Sequence, residues 1–263
     1  MPGRHPIVVA SLDNLMDLSE RPSQPSRRHP WEVARFQFFR AVLRDAGADQ
    51  RPLSILDAGS GDGWFAERLL SEMPAGTRVT CWDASYSADD VARLGSEAPD
   101  GIAFSSERPT ARFGLLLLLD VLEHVEHDQE FLAELVDENL EDGATAVVSV
   151  PAWTALFGDH DVRLNHHRRY APAKAATLLQ GAGLTIVRRG GLFHSLLLSR
   201  YLARALRRRG RTPARHVLEW RYGARTGRLV EAALSLEGSL SLLSSRAGLD
   251  VPGLSWWAVC KKR

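Results

Sequence analysis

Three features that often reveal function are scarce in this sequence: cysteine, long apolar runs and net charge. Its 263 residues include only two cysteines, Cys81 and Cys260, each inside an apolar, strand-like run. Two isolated cysteines form neither a zinc site nor a disulfide framework, so we expect buried thiols in a reducing compartment. No stretch is apolar enough for a signal peptide or long enough to cross a membrane. The sequence therefore predicts a cytoplasmic protein.

Charge, composition and length limit the kinds of protein and of fold that this sequence can represent. The formal net charge is +1, so overall charge does not favour nucleic acid as a partner. Hydrophobic residues make up 44% of the chain and charged residues 25%, as is ordinary for a soluble globular protein. A chain of this length can form one large α/β domain with a sizeable core. We expect a tail or loose cover at 1–30 and a single domain at 31–263.

The stretch at 53–65 reads L-S-I-L-D-A-G-S-G-D-G-W-F, and the rest of the chain is organised around it. Its first four residues form an apolar run with the length and composition of a buried strand. The run ends at Asp57 and is followed by Gly59, Gly61 and Gly63. Glycine is used where the backbone takes a positive φ or approaches a ligand closely. Apolar residues then recur at helical spacing, which predicts strand, glycine turn and helix, with amide groups at the helix N-terminus facing a ligand.

Two known kinds of cofactor-binding motif can be compared with this glycine turn. The dinucleotide fingerprint requires G-x-G-x-x-G, whereas the chain has D-x-G-x-G-x-G. The latter resembles the first motif of class I S-adenosyl-L-methionine (SAM) dependent methyltransferases. The resemblance implies that Gly59, Gly61 and Gly63 hold the methionine part of the cofactor and that Asp57 helps to hold its ammonium group. An ordinary tight turn is the alternative for this motif taken by itself.

A second acid follows the next predicted strand, at 78–82. Asp83 closes this strand 26 residues after Asp57, and an acid at about this distance from the glycine turn is placed to accept the ribose hydroxyls of the cofactor. A lone aspartate at a strand end more often caps a turn or a helix, here one at 85–94. The spacing from the glycine turn favours the cofactor role for Asp83.

A helix is predicted at 31–43, before the glycine turn, because apolar residues recur there at helical spacing. Pro30 suits its first turn. Many bacterial class I methyltransferases have a similar His-x-Trp…Arg helix at this place, where it covers the cofactor. The resemblance implies that Trp31 and Arg35 face the cofactor, and the alternative is packing of both on the sheet edge.

A strand at 114–119 contains five consecutive leucines, which require burial on both faces as in a parallel sheet. It leads into D-V-L-E-H-V, which resembles the fourth methyltransferase motif, although the family usually has an aspartate where Gly114 stands. The resemblance places Asp120, Glu123 and His124 beside the transferable methyl group. We assign Asp120 to cofactor binding and His124 as the first candidate for a general base, because the pKa of histidine suits proton abstraction.

A metal-assisted variant is an alternative for the same segment. Ubiquinone-pathway O-methyltransferases have a similar acid-V-x-E-H segment that is associated with a divalent ion. Asp120, Glu123 and His124 offer mixed oxygen and nitrogen ligands. Acids at strand ends more often cap the next helix, and the prediction therefore assigns no metal.

A long loop at 153–170 is rich in titratable side chains and ends in N-H-H-R-R-Y. Its form resembles the substrate-side loop of a bacterial methyltransferase subset. We take His160 and His166 as further base candidates, and His166, Arg168, Arg169 and Tyr170 as acceptor-binding residues. The guanidinium group of arginine can donate two parallel hydrogen bonds to a carboxylate or phosphate, and this favours an anionic acceptor. The alternative is a solvated basic surface with Tyr170 as an anchor.

A helical insertion is predicted at 189–253, before the last strand, with helical periodicity at 192–209 and at about 214–244. Residues 188–228 include twelve arginines and one acid, Glu219. The amphipathic pattern at 192–209 leaves open a peripheral contact with an anionic membrane or partner. The alternative is a helix that packs on its own domain and has a solvated arginine face. The basic residues lack regularly interleaved aromatics, so nucleic acid is not expected.

The combined motifs, in their order and spacing, resemble a class I SAM-dependent methyltransferase over 30–188 and again at the last strand. The resemblance implies a Rossmann-like α/β fold with a seven-stranded, mostly parallel sheet, helices on both faces and an antiparallel last strand. The implied activity is methyl transfer to an oxygen or nitrogen nucleophile of a small-molecule or lipid-linked, anionic acceptor. A catalytically silent SAM-binding scaffold remains an alternative, as does an NAD-type oxidoreductase, which the glycine spacing disfavours. The acceptor itself and the oligomeric state are not predicted.

Overall fold

One seven-stranded sheet forms the centre of the protein in the computed structural model, which describes residues 28–208 and 224–263. The strands are β1 (Ser54–Ala58), β2 (Arg78–Trp82), β3 (Ile102–Ser105), β4 (Phe113–Leu119), β5 (Leu140–Pro151), β6 (Leu184–Leu192) and β7 (Ser255–Lys262). Their order is β3-β2-β1-β4-β5-β7-β6. Strands β1 to β5 pair in parallel, and β7 is antiparallel to both neighbours. The predicted sheet and its antiparallel last strand are confirmed.

Helices cover both faces of this sheet. Those in the described residues are α1 (Pro30–Asp45), α2 (Trp64–Leu70), α3 (Ala88–Glu97), α4 (Asp128–Asn139), α5 (Asp159–Arg163), α6 (Pro172–Gly181), α7 (His194–Arg208) and α8 (Ala224–Arg246). Buried side chains of α4 and α6 form the core on one face, and those of α1, α2, α3 and α8 form the core on the other. The glycine turn between β1 and α2 therefore lies at an edge between two filled layers.

Strand β4 lies at the middle of the sheet, between β1 and β5. Its five leucines are all buried, and alternate side chains enter opposite cores because successive strand residues point to opposite faces. Leu116 and Leu118 belong to the core with α4 and α6, whereas Leu115, Leu117 and Leu119 belong to the core with α1. Full burial stabilises the fold by roughly 1.5–3 kcal/mol for each leucine. The apolar run thus fixes the strand that carries the D-V-L-E-H-V segment.

The helical insertion begins later in the chain than predicted. Strand β6 continues to Leu192 because residues 188–192 pair with β7, and the first inserted helix starts at His194, close to the start of the predicted pattern at 192–209. The second predicted helix, at 214–244, is observed from Ala224 onward. The predicted part at 214–223 lies outside the described residues, as do 1–27 of the predicted tail.

Helix α8 packs on α1, so the insertion reaches the helix that precedes the glycine turn. The side-chain amide of Gln37 makes two hydrogen bonds to α8. Its Nε2 donates to the Glu231 carboxylate at 3.1 Å, and its Oε1 accepts from the Ser235 hydroxyl at 2.7 Å. Gly238 lies against the ring of Phe38, where a Cβ atom would be 3.1 Å from the ring. α1 is therefore held between the sheet and α8.

Helix α7 is only partly packed on the domain. Leu197 is buried, whereas the side chains of Leu198, Tyr201 and Leu202 are 61%, 41% and 56% exposed. Leu197 fits the alternative of a helix packed on its own domain and these three residues do not, so that alternative and a contact with a membrane or partner both stay predictions. Across 28–208 and 224–263, no helix is both long and apolar enough to span a membrane.

The backbone of β6 passes very close to the segment that leads into β7, and we predict that Gly191 is required for this approach. A Cβ atom at Gly191 would lie 2.1 Å from the nitrogen of Gly253 and 2.4 Å from the carbonyl oxygen of Val251. Because backbone atoms cannot rotate away, Gly191→Ala should lower the free energy of unfolding by about 3 kcal/mol, the upper end for overpacking. Urea denaturation measures this change.

The matched control for that variant is Gly95→Ala in α3, where an added Cβ meets nothing within 4 Å. Alanine in a helix interior should raise the free energy of unfolding by roughly 0.5–1 kcal/mol. Equal stabilities for the two variants would show that the crossing at Gly191 relaxes without cost.

Candidate functional site

The glycine turn has the backbone conformation that its sequence predicts. Gly59, Gly61 and Gly63 have φ values of +73°, +57° and +78°. At Gly59 a Cβ atom would also lie 2.4 Å from Cγ2 of Val121, which follows β4. The turn and the D-V-L-E-H-V segment are therefore in direct contact, and only glycine permits this approach.

Side chains from the end of β2 fix the shape of the turn. The carboxylate of Asp83 is buried and accepts a hydrogen bond of 3.1 Å from the Gly61 amide. Its other oxygen accepts from the amide and hydroxyl of Ser85, at 3.0 and 2.7 Å. Burial raises the pKa of Asp83, and these hydrogen bonds oppose the rise. Oδ2, which accepts from the Gly61 amide, has a second lone-pair site, so Asp83 keeps capacity for a ligand hydroxyl at this oxygen.

The cap alternative for Asp83 is correct for a turn and wrong for the following helix. Asp83 accepts from Ser85, two residues later, but α3 begins at Ala88 and is capped by Ser87. Ser87 and Asp90 form a reciprocal capping box. The side chain of Asp83 is therefore not used to start α3.

Tyr86 also holds the turn, and sequence reasoning missed this residue. Its hydroxyl lies 2.8 Å from the Ser60 hydroxyl and donates a hydrogen bond of 2.5 Å to the Gly61 carbonyl. Burial raises the pKa of Tyr86 well above its usual range, so the hydroxyl stays protonated. Only its position three residues after Asp83 hinted at a role.

Asp57 offers an unpaired acceptor beneath the turn. The residue is 4% exposed, and its Oδ2 atom has no hydrogen-bond partner. Burial raises the pKa of Asp57 to about 7, with the charge of Arg35 acting to lower it and that of Asp83 to raise it. A buried carboxylate oxygen without a donor is costly unless a ligand supplies one. Asp57 therefore fits a cationic or hydrogen-bond-donating ligand group.

Arg35 links α1 to the end of β4. Its guanidinium forms an ion pair of 2.8 Å with Asp120, and Asp120 also accepts a hydrogen bond of 2.9 Å from the Ser149 hydroxyl. The same guanidinium lies 6.0 Å from the centre of the Trp31 ring. Asp120 has φ of +58°, a left-handed conformation that is uncommon for a residue other than glycine. The structure thus brings Arg35 to the end of β4 with Trp31 beside it, and their role as a cover over the cofactor stays a prediction.

The start of α1 is also tied to the glycine turn through Arg28, which sequence reasoning did not single out. Arg28 forms an ion pair with Asp62, inside the turn, and its guanidinium lies 4.9 Å from the centre of the Trp64 ring. The guanidinium is thus held by a carboxylate and by a cation–π contact. The chain that enters α1 crosses beside the turn.

Glu123, His124 and His166 form a polar cluster next to this region. Glu123 is 1% exposed, and burial followed by the charge of Asp120 raises its pKa well above the usual range. Burial and then His166 lower the pKa of His124 to about 4. The two histidine rings meet edge to face with centres 4.7 Å apart. Oε2 of Glu123 and Nδ1 of His124 are buried without hydrogen-bond partners.

Asp161 organises the loop that carries His166. Its carboxylate accepts hydrogen bonds of 2.7 Å from Nε of Arg169 and 3.0 Å from the Gly158 amide, and it lies 3.0 Å from Nδ1 of His166. Asp161 and Arg169 are 1% and 7% exposed. Sequence reasoning missed Asp161, although an acid three residues after a glycine at a helix start is a capping pattern.

The two predicted acceptor-binding arginines are engaged within the protein. Arg169 binds Asp161 and the carbonyl of Ala152, and Arg168 forms an ion pair of 2.9 Å with Asp128. The Tyr170 hydroxyl donates to Asp128 at 2.7 Å. These contacts fix the loop, so the geometry supports the anchor interpretation of Tyr170 and leaves neither Arg168 nor Arg169 free to bind an anion.

His160, the third candidate base, lies outside the cluster that contains His124 and His166. It lies on α5, half-buried, and is not part of the cluster that Glu123 and His124 form with His166. Burial and the charge of Arg200 lower its pKa to about 4. The structure thus joins His124 with His166, and His160 is not a member of their cluster.

Comparison with known proteins decides the family. Residues 31–189, more than half of the chain, match a family profile described as a methyltransferase domain. The chain belongs to this family. No curated protein matches it.

Solved structures with the same fold have low sequence identity to this methyltransferase. A candidate sarcosine dimethylglycine methyltransferase from Galdieria sulphuraria has a TM-score of 0.54 and 16% identity, over 87% of this chain and 85% of that one. A SAM-dependent methyltransferase from Mesorhizobium loti gives 0.51 and 17%, over 84% and 96%. Magnesium protoporphyrin IX methyltransferase from Synechocystis PCC 6803, solved with S-adenosylhomocysteine, gives 0.51 and 15%, over 88% and 84%. These likenesses show the fold.

The prediction of a SAM-dependent methyltransferase is confirmed by the family match, which also sets aside the NAD-type alternative. The residues at the strand ends fit this donor. The unpaired Oδ2 of Asp57 suits an ammonium group, and the positive φ of Gly59 leaves room for close approach of a ligand. The individual binding roles remain predictions, because family membership does not assign them.

We predict that affinity for S-adenosylhomocysteine depends on the ionisation of Asp57. A pKa of about 7 means that the carboxyl is neutral below pH 7 and ionised above it. The ionised fraction rises from about one tenth at pH 6 to about one half at pH 7, so affinity should increase about fivefold over this interval. Isothermal titration at the two pH values measures it.

The control is Asp57→Asn, which should bind more weakly and lose this pH dependence, correcting for any titration of the ligand. Calorimetry in buffers of different ionisation enthalpy should also show proton release on binding to the unsubstituted protein. Equal affinities at pH 6 and pH 7 would remove Asp57 from the ammonium site.

Proposed function

We propose that this methyltransferase moves the methyl group of SAM to an oxygen or nitrogen nucleophile of a small acceptor that binds beside Glu123, His124 and His166. The observation that carries the proposal is the contact between Val121 and Gly59. It puts the segment before His124 directly on the glycine turn, so a group held at the turn and a group held at the histidines are neighbours.

The donor side of the proposed site uses the ends of β1 and β2. Asp57 would accept from the ammonium group of SAM, and Asp83 would accept from its ribose hydroxyls. Gly59, Gly61 and Gly63 would allow the backbone to approach the methionine part. Trp31 and Arg35 would close the site from α1, with Arg35 fixed by Asp120.

Bound SAM supplies a methyl group that is already activated by the sulfonium charge. The task of the protein is then to orient the nucleophile on the sulfur–methyl axis, exclude water and accept a proton where the nucleophile carries one. Burial holds the pKa of His124 at about 4, so this imidazole is neutral at physiological pH and has a free lone pair.

The low pKa of His124 also restricts the acceptor. A weak base receives a proton readily only from a group that gives it up easily, since proton transfer follows the difference between the two pKa values. An acidic hydroxyl, such as a phenol or enol, therefore fits better than an alkyl alcohol. An acceptor that is already ionised would need only orientation by His124 and His166.

The structure gives no support for a negative charge on the acceptor, whereas one of its surfaces favours a lipid-linked acceptor. The anionic acceptor was predicted from Arg168 and Arg169, and both guanidinium groups bind carboxylates of the protein instead. We therefore propose no charge for the acceptor. A lipid-linked acceptor is the second candidate, favoured by the exposed Leu198, Tyr201 and Leu202 of α7, which offer an apolar surface.

Labelled-methyl transfer from SAM into a cell extract should identify the acceptor and tests this function. With that acceptor, His124→Gln should lower the single-turnover rate by about two to four powers of ten, the range for loss of a general base. Affinity for S-adenosylhomocysteine should not change, because His124 is assigned to the acceptor side.

His127→Gln is the matched control, since His127 is an exposed histidine three residues away whose side chain makes no cap bond. It should keep the full rate. A full rate for His124→Gln as well would place the base elsewhere. Tight binding of S-adenosylhomocysteine without transfer into any fraction would favour the catalytically silent scaffold.

A further inference from the structure

We propose that Glu123, His124 and His166 form a binding site for one divalent first-row transition-metal ion, with Asp161 orienting His166. One ligand atom from each of the three side chains lies within 4.8 Å of the other two. Donors bound to one such ion at about 2.0–2.2 Å lie roughly 3–3.5 Å apart. Small rotations of side chains would therefore close the set around an ion.

Two members of this set have buried polar atoms with no protein partner. Glu123 is 1% exposed and its Oε2 is unpaired, and Nδ1 of His124 is also buried and unpaired. A buried carboxyl oxygen without a donor costs free energy unless something pairs with it. A cation between Glu123 and the two imidazoles would satisfy both atoms together.

The surroundings of His166 match those of a metal-binding histidine. Such a histidine usually donates its other ring N–H to a carboxylate, which fixes the tautomer and the ring orientation. Nδ1 of His166 lies 3.0 Å from Asp161, and Asp161 is itself held by Arg169 and the Gly158 amide. With the proton on Nδ1, Nε2 of His166 is left with a free lone pair for an ion.

The donor set indicates the class of ion. Two imidazoles and one carboxylate suit zinc, iron(II) or cobalt(II), whereas magnesium prefers a set made of oxygen atoms. Asp120, which the sequence grouped with Glu123 and His124, is bound to Arg35 and Ser149 instead. The structure thus replaces a carboxylate of the sequence-based set by the imidazole of His166.

An ion at this cluster would lie beside the proposed acceptor position. There it would lower the pKa of an acceptor hydroxyl, the task otherwise given to His124 as a base. This consequence rests on the proposed function, but the binding site itself does not. Ion binding is therefore measured without SAM and without an acceptor.

The test uses the full chain, freed of metal by EDTA and then dialysed. Titration calorimetry with Zn²⁺ should give one tight site, and Co²⁺ should develop the visible absorption of an imidazole-bound ion. His166→Gln and Glu123→Gln should each weaken Zn²⁺ binding by more than about 100-fold. Asp161→Asn should weaken it by about 10- to 100-fold, as for other residues that orient a ligand.

His127→Gln is the control for loss of one imidazole and should bind Zn²⁺ like the unsubstituted chain. Thermal unfolding in EDTA checks that each variant is folded, and His124→Gln replaces any variant that is not. Zn²⁺ binding that His166→Gln leaves unchanged, or that His127→Gln reduces equally, would overturn the site. Mg²⁺ binding tighter than Zn²⁺ binding would overturn the assigned class. Loss of methyl transfer with Zn²⁺ binding intact would count against the proposed function alone.

Discussion

One guanidinium group acts on three carboxyl groups, two of them buried, where β1 and β4 end. Arg35 makes an ion pair with Asp120, and its charge also lowers the pKa of Asp57 and of Glu123. Burial acts in the opposite direction on both of these acids, because removal from water favours the neutral form. The charge state of these two acids therefore depends on burial, on neighbouring charged residues and on Arg35, so the position of α1, which carries Arg35, contributes to it.

The position of α1 depends on parts of the chain beyond the family match. The match ends at residue 189, yet α8, which follows it, packs along α1 through Gln37 and Phe38. At the other end, Arg28 binds Asp62 of the glycine turn. The insertion and the segment before α1 thus support the same guanidinium from two sides, which gives the insertion a structural role whatever its outer surface binds.

The sequence predicted the features that depend on neighbouring residues. Strand, glycine turn and helix follow from local spacing, and Asp57 and Asp83 follow from the rule that acids at parallel strand ends share one edge. The structure agrees with each placement. The five consecutive leucines of β4 likewise predict burial on both faces, because a continuous apolar run is typical of a strand in a parallel sheet that is covered on both sides.

Partners distant in the chain were not predictable in the same way. A sequence shows that Arg168 and Arg169 are charged but not that Asp128 and Asp161 neutralise them. The loop must fold back before those pairs exist, and the same folding brings His166 to His124. The early start assigned to the insertion has a related cause, because pairing with β7 extends β6 through residues that lack an apolar pattern.

The leucine run of β4 also bears on how the chain reaches its native state. Its two neighbours in the sheet come from opposite directions along the sequence, β1 from before it and β5 from after it. During synthesis, therefore, β4 has one open edge until β5 has emerged and paired. An apolar strand with an unpaired edge is prone to associate with other chains. Solubility of this protein during its production should thus depend on how soon β5 pairs with β4.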